Sequence, residues 1–355
     1  MLIKATIDYS FINAKIRGLK SKLLTVGDYE RLLGAQSLSE ISRLLGTTVY
    51  ADLDLGEALR ADPVDLNEID RVLNTYYFQF TEYMVNLLPK YARNFAELAH
   101  RRKAYYTGLK TIIRGIDLHI DKKEITRYLI PPSTEDYEIF NDLLKSETVA
   151  EVIDRLPDSQ LQKLLRRYLS DYEKLKDTLV LEQALTREYY ETLFRESKKL
   201  RRMDIKSVFR LVNAEMDLLN LSMIIRGKNL NIEEATLESW IVPIKSKLGN
   251  MGRFLKARPK EIYNLLTNTP YRELAPAFQT AFETDSPHFE VIDKAINQFL
   301  IHRAYVSFRE VPFHLGVFFS FLLLRSMEIY NLRAILVGKH DEIDSQLVRR
   351  FLTIL

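Results

Sequence analysis

The residues that can do chemistry in this 355-residue chain are six histidines, scattered carboxylates and several basic runs. The histidines are His100, His119, His288, His302, His314 and His340. No two of them stand one helical turn apart, so none forms a metal-holding pair on a helix face. H-E-x-x-H, the phosphate-cradling G-x-x-x-x-G-K-[ST] loop, G-x-S-x-G and G-x-G-x-x-G are absent from the sequence. With no cysteine in the chain, disulfides, thiolate metal sites and cysteine nucleophiles are excluded. No D-D-x-x-D-like pair stands on a helical run, which argues against an all-α phosphohydrolase or prenyl-converting enzyme. The expectation is no catalytic residue, no cofactor and no metal.

The remaining polar candidates sit on otherwise apolar helical stretches. Asp217 and Glu328 hold equivalent places in a repeat described below, with Tyr105 as their counterpart. Asn220 and Asn331 correspond to Gly108, and Arg114 and Arg226 correspond to Val337. Such residues either face a partner or order the interior, since a buried polar group must find a hydrogen-bond partner. For the asparagines the internal bond is the expected role. His340-Asp341 matches the paired ligands of a metal phosphohydrolase only as a dipeptide, and Asp117 and Asn229 hold its place elsewhere, which argues for a loop role. Basic runs occur at His100-Arg101-Arg102-Lys103, Lys198-Lys199-Leu200-Arg201-Arg202 and Arg349-Arg350. They suit an acidic partner or an anionic surface, although Glu191, Glu196 and Asp204 lie near the second run and make solvated helix faces the default. The candidate partner contacts are Arg114, Arg226, Asp217, Glu328, Lys198, Lys199, Arg201 and Arg202. A net charge of +3 is too small to argue for nucleic acid.

What must position these residues is a repeat of about 111 residues. Ile112-Ile113-Arg114-Gly115, Ile224-Ile225-Arg226-Gly227 and Ile335-Leu336-Val337-Gly338 place their glycines 112 and 111 residues apart. The acids Asp70, Glu182 and Asp293 fall at the same offsets, each 45 residues before its glycine. Two sets of anchors locked in register mean one helical unit in three copies. Each unit is expected to hold one long helix bearing the acid and a second ending at the glycine. The glycine suits a left-handed C′ position, and the acid of Ile120-Asp121, Ile232-Glu233 or Ile343-Asp344 suits the start of the next helix. Nearly every window has helical period and strict alternation is rare, so the fold is all-α. Prolines between the periodic runs mark turns and helix starts.

The third copy stops before its short helical pair, and Ser39-Glu40-Ile41-Ser42-Arg43-Leu44-Leu45 resembles the missing piece. This phase predicts that the N-terminal segment packs beside the last helices. It also predicts that three similar units, at 1–104, 105–215 and 216–355, close into a ring. Val311 to Leu324 is the most hydrophobic stretch. Its fourteen residues would rise about 21 Å, short of a roughly 30 Å hydrocarbon core. A buried core helix is expected there, not a membrane span.

Tyr9-Ser10-Phe11-Ile12-Asn13-Ala14-Lys15-Ile16-Arg17 resembles the opening of the C-subunit family of V-type/A-type ATP synthases, related to the d-type subunits of eukaryotic V-ATPases. Leu181-Glu182-Gln183-Ala184-Leu185 with Tyr189-Tyr190, and Asn220-Leu221 with Ile225-Arg226-Gly227, resemble it too. The first copy departs at Gly108 and the third at Val337, which bears on the equivalence of the three inner walls. The resemblance implies three similar helical units in a pseudo-threefold closed, funnel-like arrangement, and a non-catalytic rotor component on the cytoplasmic side of a membrane, peripheral to it. Its implied partners are the membrane proteolipid ring and the central-shaft subunits, with no nucleic acid. A helical-repeat scaffold of another complex is the alternative.

Overall fold

The computed structural model describes residues 2–51, 53, 55–243, 246–283 and 287–353. Among these residues the chain forms nineteen α-helices and two 3-10 turns, with no strand. In chain order they are α1 (Leu2–Lys20), α2 (Val26–Gly34), α3 (Leu38–Leu45), α4 (Leu55–Ala58), α5 (Leu66–Asn86), α6 (Lys90–Asp117), α7 (Lys122–Arg127), α8 (Thr134–Leu143), α9 (Val149–Asp154) and α10 (Ser159–Leu175). There follow α11 (Leu179–Ser197), α12 (Arg202–Asn229), α13 (Glu234–Trp240), α14 (Gly252–Lys256), α15 (Ile262–Leu266), α16 (Ala275–Ala281), α17 (Phe289–Ser307), α18 (Leu315–His340) and α19 (Ser345–Phe351).

The repeat appears as three long helix pairs, α5–α6, α11–α12 and α17–α18. Local chemistry repeats with them. Gln36, Glu147 and Arg258 each donate a backbone N–H to the carboxylate of Glu40, Glu151 or Glu261, at 2.8, 2.9 and 3.0 Å. These carboxylates lie in the first turns of their helices, where negative charge complements the N–H groups that a helix leaves without intrahelical partners. Asp121 and Asp344 cap α7 and α19 as expected, whereas Glu233 makes no side-chain cap bond to α13.

The repeated glycines do not sit in the left-handed conformation that the sequence suggested. Gly115, Gly227 and Gly338 lie inside their helices. The positive φ falls four residues later, on His119, Asn231 and Glu342. There Ile120, Ile232 and Ile343 each donate an N–H back to the glycine carbonyl, at 2.9, 2.9 and 2.8 Å, the six-to-one bond of a helix end reversed by one left-handed residue. The glycines serve close packing instead. A Cβ on Gly115 would lie 2.5 Å from Ile125 Cδ1, and Cβ atoms on Gly227 and Gly338 would collide with Leu237 and Val348. The short helices α7, α13 and α19 thus rest directly on the backbone of the long ones. His340, placed in a loop by sequence, is the last residue of α18.

Contacts divide the chain into two units. One holds Phe78–Asn86 and Lys90–Lys199, and its core joins Ile112, Ile113 and Ile116 of α6 with Leu181 and Leu185 of α11 and with Leu143, Val152, Ile153 and Leu165. The other holds the residues up to Tyr77, the link Leu87–Pro89 and everything from Leu200 onward. In it, Leu32, Ile41, Leu45, Leu55 and Leu73 share a core with Leu332, Ile335, Leu336, Val348 and Leu352. Residues early in the chain therefore pack beside the last helices, as the phase of the repeat predicts. Asp204 on α12 ties this unit at another point, accepting from Leu315 N–H at the start of α18 (2.7 Å) and from the Tyr9 hydroxyl of α1 (2.9 Å).

The hydrophobic stretch read as Val311–Leu324 belongs to the longer α18, whose 26 residues are enough, by length and composition, to cross a membrane. The length argument made from sequence therefore fails. Burial decides the matter: 72% of its most apolar window lies inside the fold.

Candidate functional site

The three acidic anchors meet three arginines. Arg114 on α6 grips Glu182 on α11 at 2.8 and 2.7 Å, and Thr178 adds a hydroxyl at 3.0 Å. Arg226 on α12 grips Asp293 on α17 at 2.9 and 2.7 Å. Arg333 on α18 pairs with Asp70 on α5. Each pair joins the second long helix of one copy to the first long helix of another, and the third returns from the last copy to the first. Sequence comparison missed that third pair, because Val337 holds the arginine's repeat position. Arg333 stands one helical turn earlier on the same face, and i, i+4 equivalence was the signal that would have found it. Burial pushes the Asp70 carboxyl up, and the adjacent Arg333 opposes this.

Both asparagines clasp backbone 22 residues further along. Asn220 donates to Val242 C=O (3.1 Å) and accepts from Val242 N–H (2.9 Å). Asn331 does the same with Thr353, at 2.9 Å in both directions. These are the internal bonds expected of them. Gly108, their counterpart, leaves no such clasp, because the Phe140 ring lies where a side chain would begin.

Asp217 and Glu328 are buried and engaged inside the fold. Asp217 accepts from the Ser246 hydroxyl (2.5 Å), Lys247 N–H (2.9 Å) and the Tyr271 hydroxyl (2.5 Å). Glu328 accepts from the Tyr50 hydroxyl at 2.6 Å, from Leu24 N–H and from the fully buried Arg325. Tyr50 and Tyr271 are the repeat-equivalent partners that sequence reading overlooked. Burial pushes both carboxyls up, against the pull of these donors. In this structure both carboxylates are buried and hydrogen-bonded within the fold. Arg114 and Arg226 are ion-paired as well, and their guanidinium groups are half exposed.

The basic run 198–202 is more open. Lys199 pairs with Glu196, and Lys198 lies 5.6 Å from the centre of the exposed Phe194 ring. Arg201 reaches Asp8 at 2.6 Å, while Arg202 begins α12 and is exposed. Among the described residues no group of three histidines and carboxylates stands close enough to hold a metal.

These features define a class: an all-helical repeat protein whose recurring charged side chains brace one helix to the next. The family model described as "ATP synthase (C/AC39) subunit" matches residues 12–351, and the chain belongs to that family. Among curated relatives, the C subunit of the A-type ATP synthase of Methanocaldococcus jannaschii is 25% identical, covering 99% of this chain and 88% of its own length. Its namesake from Methanosarcina acetivorans is 24% identical, covering 99% and 94%. That of Halobacterium salinarum is 26% identical, covering 96% and 97%. The family is that of an accessory component, not catalytic by itself.

Proposed function

We propose that this chain is the central-stalk rotor component of an A-type ATP synthase, linking the membrane proteolipid ring to the central shaft and transmitting rotation. Ions would move through the membrane part, and ATP would be made or cleaved elsewhere in the complex. The observation that carries this reading is the braced triplicate inside a chain that matches the family along nearly its whole length. A coupling piece has to resist twisting. Close-packed helical cores resist deformation, and an ion pair between neighbouring helices opposes their sliding. The closed, funnel-like arrangement of three units at 1–104, 105–215 and 216–355 belongs to this proposal, as does a peripheral place on the cytoplasmic side.

Lys198, Lys199, Arg201 and Arg202 are proposed to contribute to contacts with the ring or the shaft. Such contacts are polar and of modest strength in reversible interfaces. Cross-linking in native membranes, read by mass spectrometry, tests the assignment. Cross-links to proteolipid and shaft subunits are expected, and cross-links only to an unrelated complex would overturn it. Charge reversal at the four basic residues should weaken ring or shaft binding, and unchanged binding to both removes them from the interface.

A further inference from the structure

In the unit that holds α1 and α17, the last turns of these two helices meet around a pocket of about 490 Å³. Its walls are Arg17, Lys20, His302, Tyr305, Phe308 and Arg309, and no carboxylate is among them. Many arginines elsewhere in the same unit are matched by an acid. Arg201 has Asp8, Arg210 has Glu310, Arg226 has Asp293, and Arg325 has Glu328. Among the described residues, Arg17, Lys20 and Arg309 have no such ion-pair partner. Arg17 spends one nitrogen on the Phe308 carbonyl at 3.2 Å. Lys20 lies over the Tyr305 and Phe308 rings, 4.8 and 5.3 Å from their centres. Neighbouring acids are already engaged: Glu310, next to Arg309 in sequence, by Arg210, and Glu328 by Arg325 and Tyr50.

A plainer role for these cations is to complement the negative ends of two helix dipoles. Each end amounts to roughly half a charge, so the two together offset about one of the three cations. About two positive charges are left over. That surplus matches a phosphate group, which carries about −1.5 to −2 at neutral pH and presents several acceptor oxygens. Guanidinium forks fit such oxygens bidentately, and an ammonium adds a point charge. We propose that this pocket is a phosphate-binding site, formed by Arg17, Lys20 and Arg309, with Tyr305 among its walls.

Two sources of the group are separated by titrating the full-length chain, by calorimetry and co-sedimentation at one fixed ionic strength. The probes are inorganic phosphate, phosphatidic acid vesicles and phosphatidylcholine vesicles, with acetate as a carboxylate control. Phosphate binding that Arg309→Gln lowers about tenfold is the expected result, with Lys123→Gln binding as the unaltered protein does. Arg309 makes no internal ion pair among the described residues, so its replacement leaves the fold intact by circular dichroism. Tighter binding to phosphatidic acid than to inorganic phosphate assigns the site to a lipid headgroup, and the reverse assigns it to a soluble phosphate. Binding of neither probe, acetate binding as well as phosphate, or binding indifferent to Arg309→Gln and to Lys20→Gln would each overturn the proposal. A failed central-stalk assignment would leave these results untouched, since they use the isolated chain.

Discussion

Replacing Gly227 with alanine sets two effects of opposite sign against each other. Alanine is preferred to glycine inside a helix by up to about 1 kcal/mol. At Gly227, however, the new methyl would collide with Leu237, which is fully buried on α13. Overpacking of this kind costs about 1–3 kcal/mol. The clash should win, and Gly227→Ala should destabilise by about 1–2 kcal/mol. Gly18 is a matched control. It is also the third residue from the end of its helix, and a Cβ there meets nothing within 4 Å. Gly18→Ala should therefore stabilise by about 0.5–1 kcal/mol. Leu237→Ala alone opens a cavity, at a cost of about 2–5 kcal/mol. In that background Gly227→Ala should become neutral or stabilising, a coupling of about 2 kcal/mol in the rescuing direction. The assay is urea unfolding followed by fluorescence of the single tryptophan, Trp240, which lies on α13 with Leu237. If Gly227→Ala proves as stable as Gly18→Ala, or if the two changes simply add, the packing account of the repeated glycine is wrong.

Other outcomes follow from burial. Arg226→Ala breaks a half-exposed pair and should cost at most about 1 kcal/mol, whereas Glu328→Gln leaves Arg325 buried without its counter-charge and should cost about 3–5 kcal/mol. Denaturant midpoints of the two variants check this ordering. Asn331→Ala removes both bonds to Thr353; amide exchange at Thr353 should quicken at least tenfold, and unchanged protection counts against the clasp. Burial holds the His100 imidazole down at about 4 from its usual 6.5. The unfolded chain takes up that proton first, so stability present above about pH 6.5 is lost as pH falls toward 4. His100→Phe, which keeps a ring against Phe78, should flatten that limb of the pH–stability curve.

The fold class and the triplication were legible because hydrophobic period and anchor spacing are properties of the linear chain. The asparagine clasps were legible for a related reason: an amide inside an apolar helix needs a partner. The glycines were misread because a helix-ending glycine and a helix-packing glycine leave the same mark in sequence. Only the φ of His119, Asn231 and Glu342 separates them. Arg333 was invisible to strict alignment, since a helix face tolerates a shift of one turn that a repeat register does not. Arg325 follows the apolar stretch Val311–Leu324 directly, and nothing local in the sequence marks it as buried. Its burial depends on Glu328 and Tyr50, and Tyr50 lies 275 residues away. The cation pocket is formed by segments almost 300 residues apart, and no local pattern announces it.

The core shared by Leu73 and its neighbours with Leu332 and Val348 has a consequence for synthesis. The segment up to Leu73 leaves the ribosome well before its partners, and the apolar surface it contributes is covered only after residues beyond Ile329 have been made. At about 5–20 residues per second that interval is roughly ten to fifty seconds. The unit of residues 90–199, with its own core, can condense during the wait. A nascent chain of this protein therefore carries an uncovered hydrophobic segment throughout the synthesis of the residues between Leu73 and Ile329, which is the period in which a chaperone would have the most to bind.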